Sequence, residues 1–344
     1  MALHAAVVGG GILGASIAWH LARRGARVTV FERERAMGQG VTGQSYGWVG
    51  TGSRLPSEHP ARFALEQQAL GEFARLAQTL GPLPVAAQGA LIWLDSDQQT
   101  QRMLAEQQAA GVSMAEVGRK QIQQLEPALA RPPELALWAP EEFAVEPDQL
   151  AHRLLAAAQA DGARLLAGCE VSGLVLNGHR VCGVRTLGGV IQADVVVLAN
   201  AMGAQALVGP LDVQLPLYEE PAVLLRFDAR SVSLRHLLYG QSLELRPTLA
   251  GGLLSAADFP GHDKLQALGR DSLAAVRQSL HPDCAVTLRS LHAVQRPKTT
   301  DGWPLRRFLP GFEGLFVAVA HPGVILAPLL GRQTAEDILA VQSA

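Results

Sequence analysis

The first 32 residues constrain the fold more than any other stretch. An apolar run, Ala5-Ala6-Val7-Val8, leads directly into Gly9-Gly10-Gly11-Ile12-Leu13-Gly14. Ile17, Ala18, Leu21 and Ala22 then recur at helical spacing until Gly25, and Arg27-Val28-Thr29-Val30-Phe31-Glu32 reads as a second strand. Strand, tight glycine turn, helix and strand make half of a doubly wound parallel sheet. Gly9 suits the turn, Gly11 lets backbone approach a pyrophosphate, and Gly14 lets helix and strand pack closely. The helix N-terminus, with Ile12 and Leu13 in its first turn, offers N–H groups that a diphosphate accepts. Glu32 ends the second strand, where it accepts ribose hydroxyls and disfavours an added 2′-phosphate. Arg33, beside it, joins the expected cofactor-binding set.

The chain is 344 residues long, enough for two lobes with separate cores. Its 48% hydrophobic and 17% charged residues exclude disorder of the bulk. A formal net charge of -2 gives no electrostatic reason to expect a nucleic-acid partner or an anionic membrane surface. Cys169, Cys182 and Cys284 are odd in number and far apart, and no metal-ligand spacing appears. No metal site is expected. The N-terminus opens with a strand pattern in place of a signal peptide, and no apolar run reaches membrane-spanning length. A cytoplasmic protein is expected, with its oligomeric state open.

Helical patterns cover Pro60 to Leu80, Asp97 to Ala110, Pro147 to Ala160, Lys264 to Leu280 and about Leu326 to Leu339. Residues 119–147 carry five prolines and read as a crossing between lobes. Ala163 to Leu166, Val171 to Leu176, Arg180 to Arg185 and Gly189 to Gln192 form a strand meander, with a hairpin at Asn177-Gly178. Asp194 to Ala199 and Leu315 to Ala320 are apolar enough for the middle of a parallel sheet. Ala90 to Leu94 is a further strand candidate, and four others lie between residues 222 and 291.

Five stretches together carry a family resemblance. They are Gly9–Gly14 with Glu32; Gly40-Val41-Thr42-Gly43-Gln44-Ser45-Tyr46-Gly47-Trp48; Val197-Leu198-Ala199-Asn200-Ala201-Met202-Gly203; Arg296-Pro297-Lys298-Thr299-Thr300-Asp301-Gly302-Trp303-Pro304; and Ala320-His321-Pro322-Gly323-Val324-Ile325-Leu326-Ala327-Pro328. In this order they resemble the FAD-dependent D-amino-acid oxidase superfamily, of the glycine oxidase and monomeric sarcosine oxidase type. The resemblance implies an α/β chain with a Rossmann-like FAD-binding domain assembled from separated segments (1–55, 140–210 and 292–344). An antiparallel-sheet substrate domain (56–139 and 211–291) accompanies it.

It further implies noncovalent FAD, since no cysteine lies near the C-terminal flavin loop. Thr42, Gln44 and Ser45 are its polar contacts, Val171 lies against adenine, and Ala199 and Gly203 permit close approach. Gly323, Val324, Ile325 and Leu326 aim N–H groups at the flavin. Arg296 clamps a substrate carboxylate, which its fork of donors suits, and His321 assists electrostatically. Asp301 shapes a turn with Gly302.

One departure stands out. Relatives often carry a tyrosine on the strand before the Arg-Pro pair, whereas this chain reads Leu243-Glu244-Leu245-Arg246-Pro247. That leaves substrate identity open and admits a bulkier or more apolar amine. Arg246 reads as a surface charge, with a second carboxylate clamp as the alternative. The implied activity is oxidation of an amino-acid C–N bond (glycine, N-methyl or D-amino acid type) to an imino acid, with O2 or another electron acceptor. A dehydrogenase with a non-O2 acceptor, or an accessory subunit of a multi-component dehydrogenase, remains the alternative.

Overall fold

A computed structural model describes residues 2–229, 232–241 and 243–342. β1 (His4–Val8), α1 (Ile12–Ala22) and β2 (Arg27–Phe31) form the expected N-terminal unit. A 3-10 turn (Thr42–Gln44) and β3 (Trp48–Val49) lead into α2 (Pro60–Leu80), β4 (Val85–Ile92) and α3 (Asp97–Ala109). β5 (Ala115–Gly118), α4 (Arg119–Leu125), β6 (Leu135–Val145) and α5 (Pro147–Ala160) follow. Next come β7 (Arg164–Leu166), β8 (Val171–Asn177), β9 (Arg180–Thr186), β10 (Gly189–Gln192), β11 (Val195–Leu198) and α6 (Gly203–Val208). β12 (Leu217–Asp228), β13 (Leu237–Gly240), β14 (Leu243–Pro247), β15 (Leu253–Asp258), α7 (Leu265–Ser279) and β16 (Thr287–Thr299) build most of a second sheet. β17 (Leu305–Phe308), β18 (Leu315–Val319) and α8 (Gly323–Gln342) complete the order.

The first sheet runs β17-β18-β11-β1-β2-β7, parallel except for β17. Its central strands are apolar throughout because both faces are covered. On one side α1, α5 and α8 pack Ile17, Leu21, Leu154 and Ile325 against Val7 and Phe316. Every residue of α1 is buried, which explains its lack of a polar face. On the other side lie α6 and a three-stranded antiparallel sheet, β10-β9-β8, whose hairpin turns at Asn177-Gly178 with Gly178 at φ +60°. The segment 163–166 is not part of that meander: as β7 it extends the parallel sheet beside β2.

The second sheet runs β16-β12-β15-β14-β13-β4-β6-β3, with β5 paired to β6. It is antiparallel except where β13 meets β4. Strand alternation gives it two unlike faces. Val223, Leu225, Phe227, Leu238, Leu245 and Leu253 pack with Val276 of α7. The register puts Glu220, Arg226, Tyr239, Glu244, Arg246, Asp258 and Arg296 on the opposite face. That face meets the first sheet's loops, through Arg226 to Gly43 O (3.1 Å) and Arg246 to Tyr46 O (2.6 Å).

Residues 119–147 contain α4 and the 11-residue β6, and at their end the chain passes from the second sheet into α5 of the first lobe. Pro140 is accommodated at a register shift between Gln88 and Ala90 of β4, where the ladder does not need its missing N–H. α8 begins at Gly323, earlier than the apolar spacing suggests, and holds Pro328 inside it. Residues 140 and 292, expected as domain boundaries, fall within β6 and β16 of the second sheet.

Candidate active site

The parallel strands β1, β2, β11 and β18 all end at one edge of the first sheet. Gly9–Gly14, Glu32, Ala199–Gly203 and His321–Leu326 follow those strand ends, the usual position for ligands of such sheets. The glycine turn is sterically obligatory. Gly9 has φ +107°, and a Cβ there would lie 2.6 Å from Ala199 O. A Cβ on Gly14 would lie 2.0 Å from Gly9 O, and one on Gly11 2.9 Å from Thr42 Oγ1. Ala199 therefore packs against the turn itself.

The first intrahelical bond of α1 runs from Ala15 N–H to Gly11 O (2.8 Å), so earlier N–H groups lie outside the helix ladder. Ile12 N–H donates to Thr42 Oγ1 (2.9 Å), leaving the Thr42 hydroxyl proton to donate elsewhere. Leu13 follows in the same turn, which contains no acid to oppose an anion. Glu32 accepts from Gly10 N–H (2.9 Å) and Glu34 N–H (3.0 Å), which fixes its carboxylate beside the turn. Its backbone carbonyl accepts from Cys169 N–H, and the chain from there carries buried Val171 to the same side. Arg33 is exposed and pairs with Glu34 at 3.4 Å.

In the 40–47 loop, Ser45 donates its hydroxyl to Val41 O (2.8 Å), and Gln44 is exposed. Gly203 opens α6, where a Cβ would meet the Asn200 amide at 2.7 Å. At α8, Leu326 N–H already donates to Pro322 O (3.3 Å), so Gly323, Val324 and Ile325 supply the N–H groups ahead of the ladder. A Cβ on Gly323 would meet nothing within 4 Å, so the helix start faces open space.

Arg296 lies on the polar face of β16. Its Nη2 contacts Glu220 Oε2 at 2.5 Å, and Lys298 Nζ reaches the same oxygen at 2.6 Å. The Lys298 hydrogen bond, aided by Arg296, holds Glu220 below the usual carboxylate range. Arg296 Nε is buried without a partner. His321 sits nearby at the start of α8, with its carbonyl accepting from Arg62 Nη2 (3.0 Å). Burial and the charges of Arg296, Lys298, Arg62 and Arg54 lower its pKa to about 3, so the ring is neutral at physiological pH. Buried Glu66 on α2 balances Arg54 (3.0 Å) and Arg62 (3.2 Å).

The expectation for Arg246 is corrected. Arg246 is neither a surface charge nor a substrate clamp: it is fully buried and grips Glu146 with both terminal nitrogens (3.2 and 3.1 Å). Tyr239 lies on the polar face with its ring centroid 5.5 Å from that of Trp48, whereas Tyr218 is exposed. Asp301 shapes its turn as expected, accepting from Trp303 N–H (3.0 Å) beside Gly302 at φ +75°.

Sequence reasoning missed two carboxyls with raised pKa, the buried Glu142 and the half-buried Glu244. Glu142 of β6 accepts from Trp48 Nε1 (2.8 Å), Thr51 N–H (2.8 Å) and Gly52 N–H (2.5 Å), yet burial outweighs these donors and lifts its pKa to about 7. Glu244 of β14 is lifted to about 7 by burial and then by Asp258, against the pull of Arg296. A polar residue between two leucines on a strand, Leu243-Glu244-Leu245, was the available signal.

The family model of FAD dependent oxidoreductases (DAO) matches residues 4–337. The chain belongs to this family. It is similar to the glycine oxidase of Pseudomonas aeruginosa, at 29% identity over 96% of this chain and 93% of that protein. Among solved structures it resembles the glycine oxidase of Bacillus cereus (TM-score 0.84, 19% identity, 98% of this chain and 97% of that one). It also resembles the L-proline dehydrogenase of P. horikoshii (TM-score 0.80, 21% identity, 98% and 94%). The protein is an FAD-dependent oxidoreductase with a Rossmann-like domain and a second, sheet-built lobe.

The residues fit FAD on structural grounds. The turn at Gly9–Gly14 excludes side chains where a diphosphate must approach, Glu32 is held at its rim, and the start of α8 faces open space. None of the described helices is long and apolar enough to cross a membrane.

Proposed function

We propose that the chain oxidises the C–N bond of an amino acid, with Arg296 as the anchor for the substrate carboxylate. The observation that carries this reading is the cationic surround of His321. Arg54, Arg62, Arg296 and Lys298 all act on one neutral imidazole, while Glu66 pairs with the first two and Glu220 with the last two. Such a field draws a carboxylate in and favours negative charge near the N-terminus of α8. Arg296 offers a planar donor fork, and its buried Nε awaits an acceptor. Similarity over nearly full length to proteins named glycine oxidase supports the amine class.

FAD, when bound, supplies the acceptor for the hydride leaving the substrate carbon and passes the electrons on to O2 or another acceptor. The glycine turn, Thr42, Glu32 and Val171 hold its adenosine and diphosphate end in this reading. The N–H groups of Gly323, Val324 and Ile325 would meet its ring, and Ala199 and Gly203 would let backbone come close. Arg296 orients the α-carbon by fixing the carboxylate. Neutral His321 adds no competing charge, and the imino acid produced is hydrolysed by water after release.

Anaerobic mixing of the yellow protein with glycine, N-methylglycine, proline and D-amino acids tests the proposal. Bleaching of the flavin band by a member of this panel is expected, and peroxide on re-admission of air identifies O2 as the acceptor. A flavin that none of them reduces would overturn it.

A further inference from the structure

A cleft of about 530 Å³ lies between α1, α2 and α8, on the helical side of the first sheet. Four arginines line it: Arg23 and Arg24 just past the end of α1, Arg75 on α2 and Arg332 on α8. Arg24 Nη1 donates to His20 O (3.1 Å) and so caps the last turn of α1. Arg23 lies over the Trp19 ring, 4.7 Å from its centroid. Glu72 takes Arg75 (2.9 Å) and Arg332 (2.8 Å), and Glu336 takes Arg332 (3.0 Å) and Arg24 (3.2 Å). Each carboxylate is thus shared by two guanidinium groups, and no carboxylate of a described residue pairs with Arg23. Four cations against two anions leave two positive charges in surplus on one concave surface. The His20 ring, buried in the same wall, feels that surplus: burial, then Arg24, Arg23 and Arg332, push its pKa down to about 3. It stays neutral and adds no charge of its own.

The proposed oxidation does not use this cleft. The 11-residue α1 separates its arginines from the glycine turn, about 16 Å along the helix axis. Guanidinium forks match oxyanions, and uncompensated ones crowded together repel one another until an anion joins them. The ion pairs and the Trp19 ring already hold the forks in place, so little ordering is left for a ligand to impose. Trp19, Leu76 and Pro328 add an apolar floor. The volume falls in the ~300–1,000 Å³ range of small-molecule pockets, and a surplus of two charges suits a dianion or trianion.

We propose that this cleft is a binding site for a small, multiply charged oxyanion, a phosphate-bearing or polycarboxylate metabolite, separate from the flavin and substrate site. Its occupant ties together α1, α2 and α8, the helices that also carry the glycine turn, Arg62 and Gly323 toward the active site. Binding there stabilises the cofactor-bearing lobe by mass action.

Titration calorimetry of the FAD-loaded protein with pyrophosphate and with citrate, at low salt, tests the site and separates the two sources. At least one of them should bind with a Kd below about 1 mM, and more weakly as salt is raised. Arg23→Gln combined with Arg75→Gln should weaken that binding roughly 10- to 100-fold. Both side chains are exposed and Glu72 keeps Arg332, so the double variant should fold. Arg75→Gln alone should show part of the loss. Arg296→Met should leave the anion's affinity unchanged, because that arginine lies at the other site. No binding of either anion, binding that the double variant does not weaken, or binding that Arg296→Met abolishes would each overturn the cleft as the site. Flavin reduction plays no part in the readout, so the anion site and the oxidation reading stand or fall separately.

Discussion

Arg296 and Glu220 are register partners on adjacent strands, β16 and β12, and their side chains close to 2.5 Å. The proposed carboxylate anchor is therefore already engaged by an internal carboxylate, and a substrate must compete with it. Arg296→Met should raise KM for a carboxylate substrate on the order of 100-fold, because charge-assisted hydrogen bonds are lost. Glu220→Gln should act in the opposite direction, lowering KM about 2- to 5-fold, since a partly exposed ion pair is worth little. Steady-state kinetics on both variants check the pair. An unchanged KM in Arg296→Met would reject the anchor.

The glycine turn makes a steric prediction. Gly14→Ala places a methyl group 2.0 Å from Gly9 O, and backbone cannot retreat as a flexible side chain would. The variant should lose FAD on gel filtration and be destabilised by roughly 2–4 kcal/mol. Gly323→Ala has free space and should fold with near wild-type stability. Flavin absorbance per protein and urea unfolding distinguish the two.

How much of this was legible in the sequence depended on the range of the interaction that decided each feature. The N-terminal unit, α2, α3, α5 and the 177–178 hairpin follow from local spacing, caps and turn residues, and the structure keeps them. β6 was hidden because Pro140 and the prolines flanking the strand read as breakers, and only the bulge opposite β4 shows how Pro140 fits. Arg246 looked like a surface charge because its partner, Glu146, lies 100 residues away in sequence. Glu220 and Glu244 join Arg296 only through strand register, which no local pattern supplies.

Stability should respond to pH in two opposed ways. His321 is lowered from 6.5 to about 3, so the unfolded chain binds a proton that the folded chain refuses. Its contribution is present above pH 6.5 and is lost as pH falls toward 3. Glu244 is raised from 4.5 to about 7, so its contribution is present below pH 4.5 and is lost as pH rises toward 7. Each changes unfolding free energy by about 1.4 kcal/mol per pH unit within its window. Relative to wild type, His321→Gln should therefore gain stability on acidification, and Glu244→Gln should gain it as pH rises. Urea denaturation across both windows measures the two trends.

Glu142 holds the 48–52 segment against β6, so its removal should be felt as lost order near the site. Glu142→Ala strips the acceptor from Trp48 Nε1, Thr51 N–H and Gly52 N–H. Buried donors left unpaired imply a cost of about 3–5 kcal/mol. A lower urea midpoint with altered tryptophan fluorescence is the expected outcome, and an unchanged midpoint would show that the segment is held by other contacts.

The Arg246–Glu146 pair ties the second sheet to the start of α5 and should behave as a buried ion pair rather than as a sum of contacts. Arg246 also donates to Tyr46 O and Pro247 O, and Glu146 also accepts from Leu249 N–H (3.0 Å). Arg246→Met leaves the Glu146 charge buried and uncompensated, which costs about 3–5 kcal/mol. Adding Glu146→Leu removes the stranded charge. The double variant should then be more stable than Arg246→Met alone, even though Tyr46 O stays unpaired and Leu249 N–H loses its acceptor. Urea unfolding of the single and double variants gives the coupling directly. If the second substitution only deepened the loss, the pair's value would lie in its backbone hydrogen bonds and not in the charges facing each other.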